Sequence, residues 1–170
     1  MRFAFVLSLL LFASPLVAQR GAPSRDQVRA MLSGVDTAPS DEAWRRLGPD
    51  TLAVLVALYD DQSTPFFVRM RAVSAAAHYP TPATRTFLEA VARAPGQRDL
   101  IVRRAVVALG RAFGADALDS VRPYLAHPEA SVREGAVKTI LAMGTPAAQA
   151  ALRQRAAVET DPTVRAALGL

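Results

Sequence analysis

Residues 129–165 decide the fold, and they read EASVREGAVKTILAMGTPAAQAALRQRAAVETDPTVR. This stretch contains an apolar-periodic segment, a Gly-Thr-Pro break and a second periodic segment, and the pairs Val132-Arg133 and Val164-Arg165 bound it. Such a pattern predicts one helix, a tight turn and a second helix. The closing Val-Arg pair then indicates that the same unit starts again.

The Val-Arg pair also occurs upstream, at Val68-Arg69 and Val102-Arg103, so the successive spacings are 34, 30 and 32 residues. A period in this range indicates an array of structural repeats. The copy near residue 102 can also be aligned one residue earlier, on Ile101. The sequence therefore predicts an all-α protein, an α-solenoid of stacked antiparallel helix pairs with about four repeats and a terminal half-repeat.

Each predicted repeat has a first helix, which contains the Val-Arg pair, and a second helix. In the first helix, the positions 4, 5, 8 and 11 residues after the valine of that pair form one helix face. These predicted core positions are Ala72, Val73, Ala76 and Tyr79; Val106, Val107, Gly110 and Phe113; and Ala136, Val137, Ile140 and Met143. The second helices are predicted to begin at Thr81-Pro82, Ala115-Asp116 and Thr145-Pro146, because proline is tolerated at a first helical position. Asp99 and Asp161 are predicted to cap the helices that follow them.

Three regions are predicted along the chain. Residues 1–18 resemble an export signal, with Arg2, an apolar run and Ala18 before the expected cleavage point. Residues 19–39 are a linker and an N-terminal capping helix, and residues 40–170 are the repeat array. Within the divergent first repeat, the apolar run 52–58 is assigned as a helix because of its position in the repeat. The mature chain is expected in the periplasm or outside the cell, with no membrane span; an uncleaved anchor is the alternative.

The composition and the motifs argue against several kinds of chemistry. The chain has no cysteine, which excludes disulfides, thiolate ligands and a cysteine nucleophile. Its two histidines, His78 and His127, lie beside predicted repeat corners and lack metal-ligand spacing. No nucleophile elbow or phosphate-binding glycine loop is present. We therefore expect a protein that is not an enzyme and that needs no cofactor and no metal.

The phrases DPTVRAAL at 161–168 and VREGAV at 132–137 resemble HEAT repeats, in particular the short bacterial class known from phycobilin lyases. This resemblance covers about residues 40–170. It implies a curved rod in which first helices line the convex side and second helices the concave side, where a partner usually binds. It also implies that the repeat arginines form a structural ladder with acidic residues such as Asp99 and Asp161. Those arginines are Arg69, Arg103, Arg133 and Arg165.

The expected function is that of a non-catalytic exported scaffold that binds another protein through the concave face. The candidate partner-binding residues on the second helices are Arg85, Glu89, Arg122, Arg153 and Arg155. The alternative is a basic array that binds an anionic polymer, either nucleic acid or envelope polysaccharide, because the formal net charge is +5. Nucleic acid is the less favoured ligand, since the second helices carry mixed charge and few aromatic residues.

Overall fold

The computed structural model describes residues 22–34 and 39–170. Within these ranges the chain is entirely helical and contains no strand. Three short 3-10 segments, Ala76–His78, Gly114–Ala117 and Arg122–Ala126, extend or join the α-helices. The α-helices are α1 Arg25–Ser33, α2 Asp41–Arg46, α3 Thr51–Asp60, α4 Phe66–Ala75, α5 Pro82–Arg93, α6 Asp99–Phe113, α7 Leu118–Val121, α8 Ala130–Met143, α9 Pro146–Ala156 and α10 Pro162–Leu168.

Polar side chains cap the starts of several helices. The hydroxyls of Ser24, Ser40, Thr81 and Thr145 each accept a hydrogen bond from a backbone N–H three residues on. Asp161 accepts from the amides of Thr163 and Val164, as predicted. Because the first amides of a helix have no partner inside it, these contacts fix where each helix begins. Asp99 was predicted to act in the same way, but it is the first residue of α6 and the cap position belongs to Arg98.

The helices stack in two layers. In the first layer α4 packs on α6, α6 on α8 and α8 on α10, while α3, α5 and α9 pack against this layer from one side. The apolar run that could have been a strand forms α3, and its Leu55 and Leu58 are fully buried. Helix α1 packs against α3 and α4 through the buried Val28 and Leu32. The predicted α-solenoid of stacked helix pairs is thus confirmed.

The repeat positions behave as predicted in α4 and α8 and differ in α6. Val68, Val132 and Val164 are fully buried, which confirms their equivalence. In α6, however, Val107 is 41% exposed, whereas Leu109 is fully buried. The buried face of this helix therefore begins at Ile101, the earlier of the two possible alignments. With Ile101 in place of Val102, the spacings between successive repeats become 33, 31 and 32 residues.

The second helix of the third full repeat is not continuous. Between Gly114 and Ala126 the chain forms a 3-10 segment, the single turn α7 and a second 3-10 segment. Pro123 accounts for the break at its centre, because its ring removes a backbone donor and would clash with the carbonyl four residues earlier in a regular helix. The inward positions are still filled, since Val121 and Leu125 are buried.

The predicted export signal, residues 1–18, lies outside the described residues, as do residues 19–21 and 35–38 of the predicted linker and capping region. A search of the described helices finds none that is both long enough and apolar enough to cross a membrane.

Candidate functional site

The predicted partner-binding residues on the second helices are differently engaged. Arg85 stacks 4.1 Å above the centre of the Phe113 ring and donates to the Asp116 carbonyl oxygen at 3.1 Å. Glu89 accepts from the Ser120 hydroxyl at 2.5 Å and pairs with Arg93 at 3.2 Å. The contacts with Phe113, Asp116 and Ser120 join neighbouring repeats, whereas the pair with Arg93 lies within α5. Both side chains are therefore already used in holding the array together.

The other three predicted residues divide into two exposed arginines and one enclosed arginine. The Arg122 side chain is 60% exposed and its guanidinium lies 3.6 Å from the Asp119 carboxylate. Arg153 is exposed on α9. The Arg155 side chain is only 17% exposed and lies 2.7 Å from the Glu159 carboxylate. Of the five, Arg122 and Arg153 are therefore the ones that a partner could reach most easily.

A buried carboxylate, Glu159, organises the end of the array. Its side chain is fully buried, and it accepts hydrogen bonds from Arg133 Nε at 3.0 Å and Arg155 Nε at 2.7 Å. It also accepts from the backbone amides of Thr160 at 3.0 Å and Asp161 at 2.9 Å. One carboxylate thus ties together α8, α9 and the turn that leads into α10.

The repeat arginines form a structural ladder only in part. Arg69, Arg133 and Arg165 each donate to a backbone carbonyl upstream, at Tyr59, His127 and Glu159 respectively. Arg103 instead reaches downstream to the Ser131 carbonyl at 3.0 Å and the Glu134 carboxylate at 3.2 Å. The carboxylates that pair with these arginines are Glu134 and Glu159 rather than Asp99 and Asp161, which the family resemblance suggested.

The pKa of Glu159 gives the protein a predicted pH dependence. Burial raises this pKa, but the hydrogen bonds from Arg133 and Arg155 outweigh burial and lower it to about 2, from 4.5. Because the pKa is depressed in the folded state, the stabilisation is complete above pH 4.5 and declines as the pH falls toward 2. The shift corresponds to about 3 kcal/mol of unfolding free energy. Urea unfolding between pH 6 and pH 2.5, compared with the variant E159Q, measures it; an equal pH slope in both proteins would contradict the assignment.

Two grooves adjoin each other on the opposite side, where the first helices are exposed. The first, which we call the α6–α8 groove, has a volume of about 490 Å³ and lies between α6 and α8 next to α4. The second, of similar volume, lies among α1, α2, α4 and α6. Both include Ser74 and Arg111, so they meet. The side chains that line the α6–α8 groove include Arg103, Arg104, Val107, Arg111, Lys138 and Met143.

Two glycines allow α6 and α8 to approach closely beneath this groove. A Cβ atom at Gly110 would lie 2.0 Å from Thr139 Cγ2, and one at Gly135 would lie 2.9 Å from Arg103 Cγ. A larger residue would force the helices or these side chains apart. The sequence interpretation missed the groove, although two signals pointed toward it: a glycine inside each helix and a second possible register for α6.

We expect G110A to destabilise the protein by about 1–3 kcal/mol, because the new methyl group overpacks against Thr139. Thr139 cannot simply rotate, since its hydroxyl donates to the Gly135 carbonyl oxygen at 2.7 Å. In a T139A background the same change should be neutral or stabilising by up to about 1 kcal/mol, because alanine is the better helix former. A urea-unfolding double-mutant cycle tests this; purely additive effects would show that the two residues do not meet.

The histidines occupy corner positions in the described structure. His78 stacks on Trp44 with ring centroids 5.6 Å apart, and burial lowers its pKa. His127 Nδ1 accepts a hydrogen bond from the Glu129 amide at 3.2 Å. Among the described residues, no group of three or more histidine, aspartate or glutamate side chains is placed to hold a metal ion.

One comparison, with models of protein families, agrees with this architecture. Residues 97–170 match the family described as HEAT repeats. The described part of the chain, of which this match covers residues 97–170, is an all-helical array of stacked helix pairs. The solved complex of CpcE and CpcF of phycocyanin lyase from Nostoc sp. PCC7120 aligns with 98% of this chain and 80% of that chain, at 15% identity and a TM-score of 0.38. A likeness this distant carries no argument about function. A comparison with curated proteins found no match.

Proposed function

We propose that this chain is a non-catalytic, exported HEAT-repeat scaffold that binds another protein. The observation that carries the proposal is the pair of adjoining grooves on the first-helix side, where apolar side chains such as the 41% exposed Val107 face solvent. A rigid array that leaves apolar groups in a groove is suited to covering by a partner. The exposed Arg122 and Arg153 offer a second contact surface on the second helices.

The test is capture of the partner by photo-crosslinking in the intact organism. A photoreactive amino acid at position 107 and one at position 153 should each yield a specific adduct with a protein. Position 60, which is exposed at the end of α3 and lies outside both grooves, serves as the control. If neither position yields a protein adduct above the position-60 control, the scaffold proposal fails.

Export is a separate part of the proposal and rests on residues 1–18 of the sequence. We expect the mature protein to begin at Gln19 and to be recovered from the envelope or medium. Intact mass measurement of protein purified from its own source checks this, and a chain that retains Met1 would contradict cleavage.

An anionic polymer is the second candidate ligand, because four cationic side chains surround the α6–α8 groove: Arg103, Arg104, Arg111 and Lys138. Binding of that kind should weaken steeply as salt increases. A fluorescent oligonucleotide and a fluorescent anionic polysaccharide, titrated over a range of salt concentrations, test it. Binding with little salt dependence, or none at all, would exclude this candidate.

A further inference from the structure

The floor of the α6–α8 groove is apolar and open to solvent. With α6 aligned on Ile101, Val107 occupies the helix position that holds Ser74 and Lys138 in the neighbouring repeats, so an apolar side chain that is 41% exposed stands where those repeats carry polar ones. Ala108, Ala142 and Met143 continue this surface. Burial of such a surface is favourable by about 25 cal/mol per Å², so an occupant with an apolar side chain would be stabilised here.

The rim of the groove is cationic, and most of its charge is already paired. Arg103 and Lys138 both contact Glu134, at 3.2 Å and 2.5 Å, and these contacts lower the pKa of Glu134. Arg111 lies 2.7 Å from Asp41. Arg104 is exposed and has no ionic partner among the described residues. The remaining positive charge suits one or two carboxylates better than a polyphosphate chain.

The shape favours an elongated occupant. The α6–α8 groove meets the second groove at Ser74 and Arg111, and the combined path crosses α8, α6, α4 and α2. Arg71 lies along this path, where it donates to the carbonyl oxygens at the end of α1. A path that crosses several helices can hold an extended chain, whereas a compact small molecule would fill only one part of it.

These observations together identify the class of partner, and the identification rests on the proposed scaffold function. We propose that the α6–α8 groove binds an acidic peptide segment of the partner protein, with an apolar side chain over Val107 and a carboxylate beside Arg104. This peptide segment is thereby recognised on the first-helix side of the array, whereas the family resemblance placed partner binding on the second-helix side.

Selection from a random peptide display library against the full mature chain tests this. We expect enriched peptides to place aspartate or glutamate near a large apolar residue. The strongest binder, made as a fluorescein-labelled peptide, should lose affinity by at least about tenfold for R104E/V107E, since that variant reverses the rim charge and removes the apolar floor. Both positions are exposed, so R104E/V107E should still fold. If thermal unfolding shows that it does not, R104Q/V107Q is measured in its place and should lose peptide affinity in the same way.

The matched control is R93E/V158E, which makes the same two kinds of substitution at an arginine and a valine that are 65% and 66% exposed outside both grooves, and which should bind the peptide as the unmodified chain does. Enrichment of basic or uncharged peptides, absence of any enrichment, or equal binding by R104E/V107E would each overturn the proposal. A photo-crosslinked partner that is lost with R122E/R153E, which reverses two exposed charges on the second-helix side, and kept with R104E/V107E would also overturn it while leaving the scaffold function intact. Failure to capture any protein would instead refute the scaffold function itself.

Discussion

Replacing Leu109 by alanine should lower the free energy of unfolding by about 2–5 kcal/mol, whereas V107A should cost less than about 0.5 kcal/mol. Leu109 is fully buried between the layers of the array, so truncation loses its burial and leaves a cavity. Val107 points into an open groove, where truncation leaves no cavity.

Urea unfolding of both variants measures this difference. The two residues lie two positions apart on the same helix and are both aliphatic, so each is the natural control for the other. If V107A proves as costly as L109A, α6 follows the later register on Val102, and the apolar floor of the α6–α8 groove is then part of the core.

Replacing Glu159 by glutamine should lower the free energy of unfolding by about 3–5 kcal/mol at neutral pH. The substitution keeps the shape of the side chain but leaves Arg133, whose side chain is 12% exposed, without its anion. Arg155 loses the same partner. Removal of one member of a buried ion pair is costly because the remaining charge stays desolvated.

The control is E42Q, which breaks the pair between Glu42 and Arg46, whose side chains are 65% and 68% exposed. That substitution should cost less than about 1 kcal/mol. Unfolding of both variants in urea at pH 7 compares them directly. A small effect of E159Q, similar to that of E42Q, would show that the carboxylate does not hold the last repeats together.

Much of the fold could be predicted because it depends on local sequence signals. The repeated valine with its apolar helix face, the proline after Thr81 and Thr145, and the cap at Asp161 all act within a few residues. The assignment of 52–58 as a helix also followed from its place in the repeat, although the apolar run alone was ambiguous. These signals belong to single helices and their ends.

The features that were not predicted depend on contacts between distant residues. Glu159 lies 26 residues after Arg133, and no pattern in the sequence marks it as the partner of that arginine. The exposure of Val107 depends on which of two adjacent residues begins the buried face of α6. The close approach of α6 and α8 depends on what a glycine in one helix meets in the other, which only the packing reveals.

An engineered disulfide can show whether α6 and α8 lie side by side at Gly110 and Thr139. A Cβ atom at Gly110 would be 3.5 Å from Thr139 Cβ, a separation that a disulfide requires. The chain has no cysteine of its own, so each introduced cysteine has no other thiol to bond with inside the same molecule than its designed partner. The control is G110C/L141C, since residues two apart on a helix do not share a face.

Intact mass and thiol titration after mild oxidation of the monomer give the result. We expect G110C/T139C to close a disulfide within one molecule and to have no free thiol, while G110C/L141C keeps both thiols. Retention of both thiols in folded G110C/T139C would contradict the stacked arrangement of the helices.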